Sequence, residues 1–173
     1  MTSFLLITLI SCANPTPETS SNVPELSEHT FEYISLVDLK QELITLGYPP
    51  SKKVHNGFMV PISTNLGEWK LSIQHFEEQD ILYLALNDYL WIDQAESSQE
   101  TVFTLTQLAT RNHAILGGKL QLNPQNGAIT LSTEIPIGTR IEKVVLQKTL
   151  LKLIQIGKEE YPMLKASLGI DQY

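Results

Sequence analysis

Two neighbouring β-strands and the turn between them are encoded by residues 68–92, which read EWKLSIQHFEEQDILYLALNDYLWI. In the first part, Trp69, Leu71 and Ile73 alternate with polar side chains. This period of two is typical of a strand with one buried face. The acidic run at residues 77–80 predicts a polar turn, and leucines then recur at every second position from residue 82 to residue 86. Because the connection is short, we predict that the two strands are antiparallel.

The face opposite these leucines carries aromatic residues. Tyr83, Tyr89 and Trp91 all stand at odd-numbered positions of the second strand, whereas the leucines stand at even-numbered ones. Exposed Tyr and Trp favour protein contacts, since they offer a large area at low entropic cost. We therefore predict that Tyr83, Tyr89 and Trp91 form a partner-binding surface, for another protein or for a second copy of the chain. Alternatively, these aromatic residues pack within the sheet's own surface, because cross-strand aromatic pairs also stabilise sheets.

A helix and one further strand precede this pair. The leucines at positions 36, 39, 43 and 46 recur at three- and four-residue steps, which predicts a helix from Ser35, as its cap, through Leu46. Residues 54–62 predict a strand, and the glycine and proline within it favour an edge position in the sheet. With residues 68–92, these segments give the order α-β-β-β.

The second half of the chain continues with helices and a hairpin. A capping-box spacing at Ser97 predicts a second helix to about Asn112. Its residues Val102, Leu105, Leu108 and Ala109 are expected to face inward. Two strands follow at residues 119–123 and 128–135, joined by the turn sequence PQNG.

Two helices are predicted to close the domain. A long helix begins at Thr139 and is broken at Pro162, and a short helix follows at residues 163–168. The complete order is α-β-β-β-α-β-β-α-α. We predict an α+β domain with a single antiparallel five-stranded sheet and helices mainly on one face.

The N-terminal residues have a different character. The apolar run FLLITLI at residues 4–10 leads into Ser11 and Cys12, and the order LISC resembles the lipobox of bacterial lipoprotein signal peptides. The run is shorter than the about 20 residues of a membrane span and fits a signal-peptide core of about 7–15 residues. The Pro-, Ser- and Thr-rich residues that follow are typical of a flexible tether.

This pattern predicts three parts of the chain. Residues 1–11 are expected to be a signal peptide, residues 12–30 a lipidated Cys12 with its tether, and residues 31–173 the folded domain. The protein would then be lipid-anchored in a bacterial cell envelope, at the outer membrane where two membranes are present. The alternative is a cytoplasmic protein with an apolar N-terminus and an inert free thiol, since no Lys or Arg precedes Cys12 as it does in most signal peptides.

Composition and motifs narrow the function classes. A formal net charge of −7 argues against nucleic-acid binding, which requires a basic surface. The sequence holds no HExxH, CxxC, P-loop, GxSxG or GxGxxG motif, so we predict no catalytic residue, no metal site and no cofactor, and we expect that the protein is not an enzyme. Six of the twelve positive residues fall at or after Arg140. They predict a solvated helix face or, alternatively, a contact with acidic lipid or an acidic partner.

Three stretches of the second half resemble a known family. They are residues 120–131 (LQLNPQNGAITL), residues 134–136 (EIP), and the segment from Leu150 to Leu164 that contains EEYPML. Together with the element order, they resemble the YbjN family, which is similar in fold to the type III secretion chaperones. The resemblance covers roughly residues 31–168. It implies a non-enzymatic, often dimeric protein-binding module and carries over no catalytic residue.

Two function hypotheses result. The first is a lipid-anchored envelope protein that binds another protein through its open sheet face. The second is a cytosolic chaperone-like dimer that binds an extended segment of a client protein. Lipidation of Cys12 distinguishes the two hypotheses.

Overall fold

The structure, a computed structural model, describes residues 33–35, 37–92, 98–137 and 140–170. Cys12, the signal peptide and the tether lie outside these residues, so their assignments stay predictions. The strands are β1 Tyr33–Ile34, β2 Lys52–Val54, β3 Gly57–Thr64, β4 Gly67–Phe76, β5 Ile81–Trp91, β6 Lys119–Leu122, β7 Ala128–Pro136 and β8 Ile141–Glu142. The helices are α1 Leu39–Thr45, α2 Ser98–Ala114 and α3 Lys143–Ser167, and a 3₁₀ turn spans Glu77–Gln79.

The predicted α+β architecture is confirmed. Six antiparallel strands form one sheet in the order β2-β3-β4-β5-β7-β6, and β1 pairs separately with β8. The leucine pattern of the sequence sets the register, since Leu71 lies opposite Leu86 and Ile73 opposite Leu84. All four side chains are fully buried, and α3 lies over this face of the sheet, with Gly157 directly above Leu86.

The sheet has six strands, and the prediction of five was wrong. The segment predicted as one strand at residues 54–62 lies in a hairpin, in which Val54 pairs with Gly57 across a two-residue turn. Asn56 in that turn has φ +50°, a left-handed conformation that Asn adopts more readily than most residues. The chain therefore reverses at His55-Asn56-Gly57, where an Asn-Gly pair, a hairpin turn signal, interrupts the apolar pattern.

The helix boundaries also differ from the prediction. The long last helix continues through Pro162 to Ser167, and no separate short helix follows it in the described residues. Because Leu164 beyond the proline is fully buried, packing on the sheet offsets the single backbone hydrogen bond that proline removes. The first helix begins at Leu39 instead of Ser35. The Ser35 hydroxyl instead donates a hydrogen bond to the Asp38 carboxylate over 2.6 Å.

None of the helices within the described ranges is both long enough and apolar enough to span a membrane.

The second hairpin agrees with its prediction, because Leu120 pairs with Leu131 and Leu122 with Ile129. Gly127 closes the turn between them with φ +71°, where glycine is favoured.

Candidate partner-binding surfaces

Strand β5 has a bulge near its end, between Leu86 and Leu90. Leu86 lies opposite Leu131 and Leu90 opposite Ile129, so a step of four residues in β5 faces a step of two in β7. Asp88 lies within this bulge and has φ +50°, and its carboxylate lies 3.9 Å from the Lys70 ammonium on β4. A bulge redirects the side chains within it. The simple alternation of faces therefore ends at Leu86.

Tyr89, which lies within the bulge, is buried beneath α3. It is 2% exposed, and its ring centre lies 5.4 Å from that of Trp69 and 5.5 Å from that of Tyr161. Its hydroxyl donates a hydrogen bond to the backbone carbonyl of Gly157. The predicted placement of Tyr89 on the open face is wrong, because the bulge turns this side chain toward the helix. Tyr89 holds the sheet to α3 and offers no surface to a partner.

Glycine at position 157 permits this close approach of helix and sheet. A Cβ atom there would lie 2.9 Å from Leu86 Cδ1 and 3.2 Å from Trp69 Cζ3, closer than ordinary packing allows. The same glycine presents the carbonyl that accepts the Tyr89 hydrogen bond. A helix with any larger residue at this position must stand further from the sheet.

A charged pair lies beside this aromatic cluster. Glu160 on α3 is 9% exposed, and its Oε2 lies 2.7 Å from Nε of Arg111 on α2. Burial raises the pKa of the Tyr89 hydroxyl well above its usual range, and the negative charge of Glu160 and the neighbouring Tyr161 raise it further. Tyr89 therefore remains a neutral hydrogen-bond donor at physiological pH.

Tyr83 lies before the bulge, on the face of the sheet opposite α3, as predicted. It is half-buried and meets the ring of Phe76 edge-on, with the ring centres 5.9 Å apart. Its hydroxyl donates a hydrogen bond to Oε1 of Gln121 over 3.1 Å. Both predicted roles stay open for Tyr83, because these contacts lie within the sheet while part of the ring reaches solvent.

The centre of this face holds small, buried side chains. Ser72, Ala85 and Ser132 lie side by side on β4, β5 and β7, and all three are at most 5% exposed, so they offer no surface to a partner. Trp91 at the end of β5 is 50% exposed. The accessible aromatic side chains are therefore Tyr83 in part and Trp91. The partner-binding role of Tyr83 and Trp91 stays a prediction.

A second surface, on helix α2, was missed by the sequence reasoning. Val102, Phe103 and Leu105 are 63%, 51% and 49% exposed, and we call these three residues the α2 outer surface. Thr104 and Leu108 face the core instead. The inward orientation predicted for Leu108 is confirmed, whereas that predicted for Val102, Leu105 and Ala109 is wrong.

One side chain fixes which stripe of α2 faces inward. The Asn112 amide donates to the Leu120 carbonyl over 2.9 Å and accepts from the Leu120 N–H over 2.7 Å. This pair of bonds attaches α2 to the edge strand β6. A signal in the sequence was available, since residues 101–110 (TVFTLTQLAT) hold apolar residues on two stripes and no charged residue at all.

The positive residues of the C-terminal half do not gather into one site. Lys143 lies 3.3 Å from the buried carboxylate of Glu42 on α1, and Lys165 lies 5.7 Å above the ring centre of Tyr161. Arg140, Lys148, Lys152 and Lys158 are exposed. Over the described part of the chain, no three potential metal ligands of the types His, Cys, Asp and Glu come together.

Comparison with known proteins finds similar folds among solved structures. No family model matches the chain, and no curated protein matches it. A chain in the crystal structure of the ExsC-ExsE complex is similar, with a TM-score of 0.54 and 16% identity over 75% of this chain and 92% of that one. A chain in the structure of the HopA1-SchA chaperone-effector complex has a TM-score of 0.44 and 15% identity, over 71% of this chain and 89% of that one.

These similarities concern architecture. The antiparallel sheet with its three helices matches the fold of the similar chain in the ExsC-ExsE complex. The finer resemblance to the YbjN family stays a prediction, as does the lipoprotein signal.

Proposed function

We propose that this protein is a non-enzymatic, chaperone-like module that binds a segment of another protein and forms a homodimer through the α2 outer surface. One observation carries the dimer: Val102, Phe103 and Leu105 are each about half exposed or more on a helix segment without charge. Exposed apolar patches of this kind mark interaction sites. The chaperone-like fold supports the wider protein-binding role.

The uncharged surface allows a second copy of the chain as its occupant despite the net charge. Two copies that each carry a formal net charge of −7 repel one another over most of their surfaces. Residues 101–110 carry no charge, so a two-fold contact through them brings no like charges together. Isologous contacts of this kind are the commonest arrangement of soluble homo-oligomers.

The client segment is assigned to the open sheet face. Tyr83 is half-buried and Trp91 is 50% exposed, so both can supply aromatic contacts to an extended chain. Aromatic anchors commonly dominate binding energy at interfaces. Replacing Trp91 by Ser is therefore expected to weaken capture of a partner while the fold is retained.

The dimer is tested by measuring mass in solution. Wild-type protein is expected to have twice the monomer mass in size-exclusion chromatography with light scattering. Phe103→Glu places a charge on each side of the two-fold contact and is expected to give monomers. Leu151→Glu is the matched control, because Leu151 on α3 is 49% exposed and Phe103 is 51% exposed. A monomeric wild type, or equal dissociation by both variants, contradicts the proposed dimer.

The cellular location is a separate part of the proposal. We place the protein in a bacterial cell envelope through a lipid on Cys12, with the cytoplasm as the alternative. Cells that express the full chain are grown with radiolabelled palmitate, with Cys12→Ser as the control. Label that is lost in Cys12→Ser supports the envelope. Absence of label in the wild type overturns the anchor and leaves the cytoplasmic chaperone-like dimer.

A further inference from the structure

A cleft of about 330 Å³ opens between the start of α1 and the β2–β3 hairpin. Its lining includes three lysines, Lys40, Lys52 and Lys53, and three apolar residues, Val37, Pro50 and Phe58. Lys40 comes from α1, while Lys52 and Lys53 are consecutive in β2. The cleft lies apart from the α2 outer surface and at the far edge of the sheet from β6.

The charge of this cleft is unbalanced. Three of the twelve positive residues of an otherwise acidic chain line it, and its described lining holds no Asp or Glu. The nearby acids are engaged elsewhere: Asp38 accepts the Ser35 hydroxyl, and Glu42 is paired with Lys143. Within the described residues, no ion pair joins a carboxylate to Lys40, Lys52 or Lys53.

The cleft also borders an open sheet edge. Strand β2 is the terminal strand of the six-stranded sheet, and its described ladder contacts are all with β3. The outer side of β2 therefore presents backbone groups that an extended polypeptide can pair with. Phe58 is half-buried and lies opposite Lys53, so an apolar wall stands next to the Lys53 side chain.

We propose that this cleft binds an acidic segment of a partner protein. Carboxylates of the segment pair with Lys40, Lys52 and Lys53, and an adjacent apolar side chain packs against Phe58 and Pro50. Charge complementarity selects the acidic residues, while the apolar wall and the unpaired edge of β2 select a polypeptide over a free anion. The inference rests on the proposed protein-binding role: the acidic segment is a second contact with the client, apart from the segment on the open sheet face. It does not depend on the dimer.

Two other uses of these lysines predict different results. Lysines on an edge strand also prevent sheets from joining edge to edge, in which case no acidic peptide binds. A basic patch can also hold an anionic membrane surface, in which case anionic vesicles bind more tightly than peptides.

The probe is a fluorescein-labelled 12-residue peptide of alternating Glu and Val, and binding to the full chain is measured by fluorescence anisotropy. Identical peptides with Gln or Lys in place of Glu test the need for negative charge. Changing Lys40, Lys52 and Lys53 together to Gln is expected to weaken binding about tenfold, since each exposed ion pair contributes about twofold to threefold. The same change at Lys148, Lys152 and Lys158, which are exposed on α3, removes equal charge and is expected to have less than about a twofold effect.

Each outcome decides the inference. It is supported when the Glu peptide binds, the Gln and Lys peptides do not, and only the cleft variant loses affinity. It is overturned when no peptide binds, when both triple variants weaken binding equally, or when vesicles of phosphatidylglycerol compete more strongly than the peptide. Measuring the mass of the same samples in solution tests the proposed dimer independently of peptide binding. A monomer that binds the peptide refutes the dimer alone, and a dimer that does not bind it refutes the inference alone.

Discussion

Tyr83 and Tyr89 stand six residues apart in β5, yet the two side chains lie in opposite environments. Tyr83 is half-buried on the open face of the sheet, whereas Tyr89 is 2% exposed beneath α3. Tyr89 lies within the bulge between Leu86 and Leu90, whereas Tyr83 lies before it. Tyr83 thus contributes to a surface, and Tyr89 fastens a helix. Strand parity predicts a side chain's face only as far as the first irregularity.

A residue that tolerates a left-handed backbone stands in the bulge. Asp88 interrupts an apolar run and adopts φ +50°, a conformation that costs Asp less than it costs β-branched residues. The aromatic cluster of Trp69, Tyr89 and Tyr161 then fills the space below α3. Substitutions in β5 and α3 test this difference between Tyr83 and Tyr89, and the largest effect is expected at Tyr89.

Truncation of the two tyrosines is expected to give very different losses of stability. Tyr89→Ala removes a buried ring and its hydrogen bond to Gly157, at a cost of about 3–5 kcal/mol in the free energy of unfolding. Tyr83→Ala removes a half-exposed ring and is expected to cost at most about 1 kcal/mol. Urea unfolding measures both. Equal losses would refute the assignment of the two residues to different faces.

The close approach of α3 to the sheet is tested at Gly157. Alanine normally stabilises a helix relative to glycine by about 0.5–1 kcal/mol. Here Gly157→Ala is expected to destabilise the fold by about 1–3 kcal/mol, because the added methyl overlaps Leu86 and Trp69.

Gly118→Ala serves as the control for this prediction in the same urea titration. Its added methyl would have its nearest neighbour at 3.3 Å, compared with 2.9 Å at Gly157, so we expect a smaller loss. A gain in stability for Gly157→Ala would mean that α3 stands further from β5 than described.

The pH dependence of stability is expected to reveal the burial of Tyr89. Because burial raises the pKa of Tyr89 in the folded protein, the unfolded chain, with a tyrosine pKa of about 10, loses this proton first. The stabilisation that the neutral Tyr89 hydroxyl gives the fold is fully present below pH 10. Above pH 10, the free energy of unfolding falls by up to about 1.4 kcal/mol per pH unit. Urea titrations between pH 8 and 11 should show a shallower fall for Tyr89→Phe. Identical slopes would contradict the buried, neutral hydroxyl.

The smallest change in stability is expected for Trp91→Ser, at the exposed end of β5. Since Trp91 is 50% exposed, the free energy of unfolding should change by no more than about 0.5 kcal/mol. Partner capture should fall if the open face binds a client. Urea unfolding and a pull-down on the same sample separate the two effects. A loss of stability similar to that of Tyr89→Ala would show that Trp91 is part of the core.

The sequence allowed much of this fold to be predicted but only part of the candidate surface. The apolar alternation of β4 and β5, the hairpin of β6 and β7 and the α+β class followed from periodicity and turn signals. Tyr83 was placed correctly, and Trp91 is exposed as expected. Tyr89 and the α2 outer surface were misjudged, because a bulge and the choice between two apolar stripes depend on contacts distant in sequence. Asn112 with Leu120, and Tyr89 with Gly157, are such contacts.

The sequence by itself determined the apolar pattern that builds the sheet and the charge-free stretch at residues 101–110. These properties are local, because side-chain period and charge can be counted along the chain. Only the tertiary structure decided that Tyr89 fastens α3, that Val102, Phe103 and Leu105 face outward, and that three lysines meet in one cleft. Each of these three placements depends on how segments distant in sequence pack together. That packing minimises the free energy of the whole fold, which no single segment determines.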